Sequence, residues 1–459
     1  MIFHVGNKIY VEDASESLLR WCKENLEVTN PEYYKKRAMG KYTGNIPERF
    51  CLYEIDGKNA ILPFGVVAKL KGKFPERRFL SRICPSERIE YKSGISLYPY
   101  QKNAVEAALV AKNGILVMPC GAGKTQTALE IISRLGVKTL WLTHTQDLLN
   151  QSMNRAKAVL EAPSDSYGTI TGGKVNIGCG ITFATVQTMS KIDLAEYKDT
   201  WGCVVVDECQ KAVGGPTKVM QFYKVLSALS CRYKIGLTAT PKRADGMQAA
   251  MFALLGDIIY EVDKKDVAET TCPVHVDFIE TDYTPDFDVV LAGDGTIDYS
   301  SLVTDMTQNE TRFNLVWHTI KLYSELGPTL VLANRVEYLK RLDEVYSGKS
   351  ICLSAMGTSK AAKKTRKEAL QKLNNRELDC IFATYQLAKE GLDVPNLRNV
   401  IFASPEKDET TVTQAAGRVG RKAEGKEYGT VVDFVDNFGM YKGWAKKRTN
   451  IYKKLDYIC

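Results

Sequence analysis

The sequence lacks the features that mark membrane, secreted and low-complexity proteins. No apolar run reaches the roughly 18 residues that a membrane-spanning helix needs, so we expect no membrane partner. The opening stretch MIFHVGNKIYVEDASE becomes acidic too early for a secretory signal peptide. Low-complexity segments and short tandem repeats are also absent. We therefore expect a globular protein of the cytoplasm, or of the host cell cytoplasm if the source is viral.

Cysteine and histidine occur without the spacing of metal ligands. None of the 12 cysteines belongs to a C-x-x-C pair, and the 4 histidines lie far apart along the chain. Zinc sites and disulfide frameworks depend on such closely spaced or paired residues. We therefore predict reduced thiols and no zinc site. A D…ExK-like group of carboxylates, which would indicate a nuclease, is not found either.

The residues that are present suit a protein with more than one hydrophobic core. The chain has 459 residues, 44% of them hydrophobic and 25% charged, which is typical of a globular protein with two or three domains. Its net charge of +8 is modest for this length and does not by itself indicate a nucleic-acid partner. Basic residues concentrate at 69–92 and 442–454, where they could form a solvated surface or contact nucleic acid.

From about residue 97 the sequence alternates short β-branched apolar runs with stretches of helical periodicity. Strands that are apolar on both faces are typical of parallel sheets covered by helices. A helix is predicted over 123–135, where apolar residues recur on one face and Gly136 ends the helix. The predicted strands form two sets, 115–118, 139–143, 181–185, 203–206 and 235–238, then 329–333, 351–353, 380–383, 399–402 and 430–434.

Two consecutive α/β domains are therefore predicted, meeting between about residues 260 and 325. The stretch 281–298 is rich in Asp and contains Pro and Gly, so it is predicted to be a loop or hairpin insertion. Residues 1–90 have shorter, mixed periods and no phosphate-loop signal, which indicates a small α+β accessory domain. The predicted domains are residues 1–90, 91–265 and 266–459.

Residues 118–125, MPCGAGKT, join a predicted buried strand to a predicted helix, as a phosphate-binding loop requires. Gly121 and Gly123 let backbone N–H groups approach phosphate, and the helix N-terminus adds favourable partial charge. Lys124 is expected to reach the β- and γ-phosphates, and the Thr125 hydroxyl is expected to ligate Mg²⁺. Met118 stands where such loops usually have Gly or Ala.

A second motif, CVVVDECQ at 203–210, delivers two carboxylates at the C-terminal end of a predicted buried strand. Ligands of parallel α/β sheets bind at that edge. Asp207 is therefore expected to hold Mg²⁺, directly or through water, and Glu208 to orient and deprotonate the attacking water. An adjacent Asp-Glu pair is usually a surface turn, but four apolar residues before it and a phosphate loop upstream favour catalysis.

These motifs resemble those of the superfamily 2 helicases, in which two tandem RecA-like domains clamp one ATP. The matching segments are LYPYQ (97–101), DECQ (207–210), LTATP (237–241), FATYQLAKEGLDVP (382–395) and QAAGRVGR (414–421). The resemblance implies an adenine contact for Gln101 and coupling of hydrolysis to strand movement for Thr238 and Thr240. It implies further nucleotide contacts for Gly391, Asp393, Gln414 and Arg418.

The same resemblance makes Arg421 the arginine finger. An arginine from the second domain neutralises charge on the transferring phosphoryl group only when the cleft between the domains is closed, which ties hydrolysis to domain closure. An exposed basic turn is the alternative for Arg418 and Arg421. The Q-x-x-G-R-x-G-R spacing, in order behind five other motifs, disfavours that alternative.

Contacts to a nucleic-acid strand are implied at positions with hydroxyl, glycine, amide and guanidinium groups. Such groups suit the phosphodiester backbone, and backbone contacts position a strand without reading its sequence. Each position could instead be ordinary loop chemistry, and we expect roughly half of them to touch the strand. The positions are Thr145, Gln146, Thr171, Gly172, Thr185, Gln187, Asn334, Arg335 and Thr384.

Shorter segments favour DNA over RNA. RADG at 243–246 and DFVD at 433–436 resemble DNA-translocating DExH proteins more than RNA-unwinding DEAD-box proteins, and DECQ lacks the last two residues of the DEAD box. GKNAILPFGVV at 57–67 resembles the accessory domain of the phage UvsW-type helicases, a family that remodels forks and four-way junctions. A small hydrophobic core would also explain the apolar residues of that segment.

The resemblance therefore implies an ATP- and Mg²⁺-dependent DNA helicase or translocase, which we expect to be monomeric. Its expected partners are single-stranded and branched DNA, which it would unwind or branch-migrate in recombination, repair or replication. Two alternatives stay open, an RNA helicase and a nucleic-acid-stimulated ATPase switch that does not unwind. Comparing ATPase stimulation by DNA and by RNA distinguishes a DNA helicase from an RNA helicase. A strand-displacement assay distinguishes a helicase from an ATPase switch.

Overall fold

A computed structural model describes residues 1–119, 121–212, 216–241, 248–267, 271–357, 359–389, 392 and 394–459. The chain divides into two compact units, Met1–Asp266 (unit 1) and Val267–Cys459 (unit 2). Each unit contains a parallel sheet with helices between its strands, which confirms the predicted α/β fold class. None of the described helices is both long and apolar enough to cross a lipid bilayer.

The first part of unit 1 is a small α+β region, called here the N-terminal region. Its elements are β1 (Ile2–Val5), β2 (Lys8–Glu12), α1 (Glu16–Leu26), β3 (Glu27–Thr29), α2 (Pro31–Ala38), β4 (Arg49–Cys51), β5 (Glu54–Asp56), β6 (Asn59–Pro63), α3 (Val67–Lys73) and β7 (Arg78–Ser81). Five strands form a sheet of order β5-β6-β2-β1-β7. Helix α1 begins after Ser15, whose hydroxyl accepts the Leu18 N–H, and it buries Leu18, Cys22 and Leu26 on one face.

The rest of unit 1 is the first RecA-like domain. Its strands are β8 (Lys92–Ser93), β9 (Asn113–Val117), β10 (Thr139–Thr143), β11 (Leu160–Glu161), β12 (Tyr167–Thr171), β13 (Lys174–Asn176), β14 (Ile181–Thr185), β15 (Cys203–Val206), β16 (Tyr233–Thr238) and β17 (Ile258–Glu261). Its helices are α4 (Pro99–Ala111), α5 (Lys124–Leu135), α6 (Gln146–Val159), α7 (Val186–Met189), α8 (Pro216–Ala228) and α9 (Gln248–Leu255).

The main sheet of this domain has the order β13-β12-β14-β10-β15-β16-β9-β17, and only β13 runs antiparallel to its neighbour. Every residue of β10, β14 and β15 is buried, so both faces of these central strands are covered. Gly136 ends α5 in the left-handed conformation, as its sequence position predicted. The five strands predicted for this domain are all present.

The N-terminal region packs directly onto the first RecA-like domain. Its residues Phe64 and Leu70 belong to the same buried hydrophobic cluster as Leu254 of α9. A Cβ on Gly65 would lie 2.6 Å from backbone atoms of the segment 252–256, so only glycine allows this approach. The fully buried Lys234 lies 4.6 Å from the Phe64 ring centre. The core is therefore continuous between the two parts, and the predicted boundary at residue 90 stays a prediction.

Unit 2 contains the second RecA-like domain. Its elements are β18 (Val274–Thr281), α10 (Phe287–Val290), α11 (Tyr299–Gln308), α12 (Glu310–Leu326), β19 (Thr329–Ala333), α13 (Val336–Val345), β20 (Ser350–Cys352), α14 (Lys360–Asn374), β21 (Cys380–Thr384), α15 (Tyr385–Lys389), β22 (Asn399–Phe402), α16 (Glu409–Ala416), β23 (Gly429–Asp436) and α17 (Gly439–Lys454). The six strands run parallel in the order β18-β23-β22-β19-β21-β20.

Two buried ion pairs fasten helices of unit 2 to strand β23. Asp433 accepts the guanidinium of Arg448 in α17, and Asp436 accepts that of Arg312 in α12, each with a shortest contact of 2.6 Å. Removing one partner of such a pair would leave an uncompensated buried charge. The carboxylates of the DFVD segment therefore have a structural role. The predicted insertion at 281–298 contains only the short helix α10 and one isolated bridge, Leu291 with Ile297.

Candidate functional site

Three neighbouring strands of unit 1 end at one edge of the sheet with the residues that carry the predicted chemistry. The phosphate loop follows β9, the Asp207-Glu208 pair follows β15, and Thr238 ends β16, which lies between them. The strands run parallel, so their carboxyl ends share that edge. The Met118 N–H donates to the Thr238 carbonyl over 2.8 Å and extends the sheet into the loop.

The phosphate loop adopts a backbone conformation that depends on its glycines. Gly121 and Gly123 have φ angles of 86° and 75°, which residues with side chains rarely adopt. Gly123 precedes α5 and supplies no side-chain cap, so phosphate oxygens can accept from the first N–H groups of the helix. Only Cys120 of the loop lies outside the described residues.

Lys124 and Glu208 meet at this edge. The Lys124 ammonium lies 3.9 Å from Glu208 Oε1 and 3.5 Å from the Met118 carbonyl oxygen. The Gln210 side-chain amide donates to Glu208 Oε2 over 2.5 Å. The carboxylate is therefore oriented by a cation at one oxygen and by an amide at the other.

The two carboxylates leave strand β15 in different backbone conformations. Asp207 is only 7% exposed, and its N–H donates to the Leu142 carbonyl over 2.9 Å. Glu208 has a φ of 52°, a left-handed conformation that costs a residue with a side chain on the order of 1–3 kcal/mol. Residues held in such conformations cluster at functional sites, where the surrounding structure enforces them. The observation favours the catalytic role that the sequence predicts for Glu208.

The Cys209 thiol next to this pair is fully buried. Burial, with the charges of Glu208 and Asp207 as further causes, raises the pKa of the Cys209 thiol well above its usual range. A thiol attacks as the thiolate, which is disfavoured here.

Gln101, the predicted adenine contact, lies directly behind the phosphate loop. It is 1% exposed, its Oε1 accepts the Tyr98 N–H over 2.9 Å, and its Nε2 donates to the Ala122 carbonyl over 2.9 Å. A Cβ on Gly123 would lie 2.3 Å from Gln101 Nε2. Each bond uses only part of the amide's capacity, so an adenine contact stays feasible. Gln101 thus also supports the phosphate loop.

The predicted coupling residues are hydrogen-bonded to the phosphate loop and to each other. Thr238 is fully buried, and its hydroxyl accepts the Thr240 N–H over 3.0 Å. Because the Thr238 carbonyl also binds Met118, a shift of the loop would reach this segment. The coupling role itself stays a prediction. The RADG segment that follows, within residues 242–247, lies outside the described residues.

The oxygen donors at this edge suit Mg²⁺. This ion usually keeps several waters and is held by one or two carboxylates together with substrate phosphates. Thr125 lies in the first turn of α5, and Asp207 follows β15, so both hard oxygen donors lie at the carboxyl edge. Within the described ranges, no three His, Cys, Asp or Glu side chains are grouped to hold a metal ion. The donor set therefore fits an ion that arrives with the nucleotide.

The nucleic-acid contacts predicted for unit 1 lie at, or shortly after, the carboxyl ends of the adjacent β-strands β10, β14 and β12. Thr145 and Thr185 are the N-caps of α6 and α7, where their hydroxyls accept backbone N–H groups. Gln187 donates to the His144 carbonyl over 3.1 Å and joins the loops after β14 and β10. The remaining positions are Gln146 in the first turn of α6 and Thr171 and Gly172 in the β12–β13 hairpin.

The nucleic-acid contacts predicted for unit 2 also lie at the carboxyl ends of neighbouring β-strands, β19 and β21. Asn334 donates to the Pro405 carbonyl over 3.2 Å, and Arg335 donates to the carbonyl and hydroxyl oxygens of Ser300. The Thr384 hydroxyl accepts a backbone N–H from the first turn of α15. All three residues are thus held in place within unit 2, and their contact with a strand stays a prediction.

The QAAGRVGR segment (414–421) lies on α16 and on the turn that follows this helix. Gln414 is on the helix, while Arg418 and Arg421 are on the turn, called here the Arg421 turn (residues 417–421). Arg418 is only 8% exposed, and its guanidinium donates to the carbonyls of Ala388 and Leu392 in the segment FATYQLAKEGLDVP (382–395). Two predicted nucleotide contacts lie outside the described residues, Gly391 and Asp393.

Sequence reasoning missed two groups that hold predicted catalytic residues. Gln210 orients Glu208, and Lys426 donates to the Arg421 carbonyl over 2.9 Å. The contact of Gln210 with Glu208 could have been inferred from the sequence, because Gln210 is the last residue of DECQ. Nothing in the pattern distinguishes Lys426 from a surface lysine.

Two family models match the chain. One, for the res subunit of type III restriction enzymes, matches residues 94–243, and the helicase conserved C-terminal domain matches residues 312–423. A protein of Acanthamoeba polyphaga mimivirus, named as an ATP-dependent RNA helicase, is 24% identical over 75% of this chain and 64% of its own length. The DNA 3'-5' translocase XPB2 of Sulfurisphaera tokodaii is 27% identical over 72% of this chain and 80% of its own length.

Solved structures also align with this chain. T4 UvsW aligns over 100% of this chain and 98% of its own, with 20% identity and a TM-score of 0.43. S. cerevisiae Dbp5, bound to RNA and ADP BeF3, aligns over 79% of this chain and 89% of its own, with 15% identity and a TM-score of 0.55. One family model covers the phosphate loop and the Asp207-Glu208 pair, and the other covers the whole QAAGRVGR segment (414–421), including Arg421. The chain therefore belongs to the superfamily 2 helicases and is a nucleic-acid-dependent ATPase.

Proposed function

We propose that this chain is an ATP-dependent DNA helicase or translocase that unwinds or branch-migrates forks and four-way junctions in recombination, repair or replication. The observation that carries this proposal is the contact of 3.9 Å between Lys124 and Glu208 at the carboxyl edge of unit 1. The relative named as a DNA translocase supports DNA as the track. Exposed basic residues at 71–82 of the N-terminal region, called here the basic surface, favour branched DNA.

ATP binding is proposed to separate Lys124 from Glu208. The triphosphate attracts the Lys124 ammonium to its β- and γ-phosphates, which leaves Glu208 oriented by Gln210. The Glu208 carboxylate then accepts a proton from the attacking water, whose oxygen bonds to the γ-phosphorus. The bond from that phosphorus to the bridging oxygen breaks, and ADP and phosphate are released.

The remaining predicted contacts are proposed to position the nucleotide and its ion. Thr125 and Asp207 would hold Mg²⁺, which neutralises phosphate charge when it is bound. Gln101 would contact adenine from behind the loop. Arg421, with Gln414 and Arg418 as nucleotide contacts, would stabilise charge on the transferring phosphoryl group.

The preference for branched DNA is proposed to come from the N-terminal region. A motor that holds only a phosphodiester backbone cannot distinguish a fork from a plain strand, so a junction needs a second contact surface. The segment 71–82 contains one acidic residue, Glu76, and its exposed basic side chains can neutralise the phosphates of a duplex arm. The basic surface consists of the exposed residues Lys71, Lys73, Arg77, Arg78 and Arg82.

The test compares ATPase stimulation by single-stranded DNA, forked DNA, a four-way junction and single-stranded RNA at one salt concentration. We expect stronger stimulation by the branched DNAs than by the linear strand. Reversing three charges of the basic surface (Lys71→Glu, Arg77→Glu, Arg78→Glu) should remove that preference and keep stimulation by the linear strand. A matched control reverses three exposed lysines of α14 (Lys364→Glu, Lys367→Glu, Lys372→Glu) and should keep the preference.

Two outcomes would replace the proposal with one of its alternatives. Stimulation by RNA that equals or exceeds stimulation by DNA would favour an RNA helicase, as the name of the mimivirus relative suggests. Stimulated ATPase activity without strand displacement on any substrate would favour an ATPase switch.

A further inference from the structure

The backbone carbonyls of the Arg421 turn accept hydrogen bonds from other segments of unit 2. The Val419 carbonyl accepts from the Cys272 thiol over 3.4 Å, and the Gly420 carbonyl accepts from the Cys272 N–H over 2.9 Å. The Arg421 carbonyl accepts from the Lys426 ammonium over 2.9 Å. Three consecutive carbonyls thus have donors from two other segments of unit 2.

The chain that leads into β18 and the start of β23 enclose this turn. Thr271 pairs with Arg421 in an isolated antiparallel bridge. The Gly429 N–H, at the start of β23, donates to the Pro273 carbonyl over 2.9 Å. A Cβ on Gly429 would lie 2.2 Å from the Val419 carbonyl oxygen, so the strand approaches the turn as closely as glycine permits. The backbone of the turn is therefore confined on both sides.

Lys426 is an unusual donor for a surface turn because it is buried. Lys426 is only 9% exposed. Burial lowers the pKa of the Lys426 ammonium to about 8; the Cys272 thiol opposes this shift, and the cations Arg421 and Arg398 add to it. A buried cation costs free energy that a solvated lysine does not. A hydrogen bond from this charged donor offsets part of that cost, and here it fixes one carbonyl.

We propose that Lys426 is a positioning residue for ATP hydrolysis, which fixes the backbone of the turn that presents Arg421. This inference rests on the proposed function, because it requires Arg421 to act on the transferring phosphoryl group. A backbone shift of this turn would carry the Arg421 guanidinium with it. A misplacement of about 1 Å can lower the rate of a reaction on the order of 10²-fold.

The test measures kcat and KM for ATP at saturating single-stranded DNA, using the full chain. Four proteins are compared, the wild type, Lys426→Met, Arg421→Ala and the double variant. We expect Lys426→Met to lower kcat on the order of 10-fold while KM for ATP changes little. The double variant should be no slower than Arg421→Ala, because the position of an absent guanidinium has no effect on the rate.

Lys234 supplies a matched control. It is fully buried, its ammonium donates to the Leu226 carbonyl over 2.7 Å, and burial also lowers its pKa to about 8. Lys234→Met therefore removes an equivalent buried cation from unit 1. Any loss of kcat that it causes should multiply with the loss caused by Arg421→Ala. If Lys426→Met does not fold, Cys272→Ala tests the same turn, because it removes the thiol that donates to the carbonyls of Val419 and Arg421.

The outcomes separate this inference from the proposed function. If Lys426→Met keeps the wild-type kcat, or if its loss multiplies with that of Arg421→Ala, Lys426 is structural only and the inference is wrong. The proposed function is unaffected in that case. If Arg421→Ala itself keeps the wild-type kcat, the proposed role of Arg421 fails, and the positioning role of Lys426 fails with it.

Discussion

At the scale of single residues, the proposed base Glu208 contacts the Lys124 ammonium and the Gln210 amide before ATP arrives. Glu208→Gln should retain nucleotide binding and lower turnover by about 10²–10⁴-fold, because the amide cannot accept the proton of the attacking water. Lys124→Ala should instead weaken nucleotide binding, since the loop loses its cation. Equilibrium binding of a fluorescent ATP analogue, together with steady-state turnover, distinguishes the two effects. Near wild-type turnover by Glu208→Gln would show that another group is the base.

The sequence predicts which residues come together where their positions depend on local spacing. Lys124, Asp207 and Glu208 each follow a buried strand within a few positions, so the carboxyl edge of a parallel sheet brings them together. The buried positions of Arg418 and Lys426 depend on contacts with other segments, such as the carbonyls to which they donate. Such contacts leave no periodic pattern in the chain.

At the scale of elements, the contact between the N-terminal region and α9 depends on one glycine. Gly65→Ala should destabilise the protein by about 1–3 kcal/mol, because the added methyl would meet backbone atoms that cannot turn away. Gly72→Ala is the control. Gly72 lies in α3 with open space at its Cβ, and alanine there should be neutral or stabilising by up to about 1 kcal/mol. Urea-induced unfolding measures both, and equal stability of the two variants would contradict the close contact.

Elements at the sides of the sheets were harder to predict than central strands. The strands β17 and β18 lie at sheet edges and are partly exposed, so they lack the continuous apolar runs of β10 or β19. Strand β12 alternates buried and half-buried residues and was also missed. A pattern that detects strands buried on both faces therefore finds the central strands and the short edge strand β20, but it does not detect β12, β17 and β18.

At the scale of the whole molecule, the sequence predicts the two α/β domains because each contains its own set of buried strands. It does not predict that the N-terminal region shares a hydrophobic core with the first RecA-like domain. That core joins Phe64 and Leu254, which are far apart in the sequence. A basic surface anchored in this way would move together with the first RecA-like domain.

The most direct test of ATP-driven remodelling is branch migration of a synthetic four-way DNA junction by the full chain. The conversion of the junction into duplex products is followed with ATP and Mg²⁺, with the Glu208→Gln variant measured in parallel. We expect the wild type to convert the junction and the variant to bind it without conversion. If the wild type hydrolyses ATP in the presence of the junction yet yields no more product than Glu208→Gln, the protein is not a branch-migrating motor.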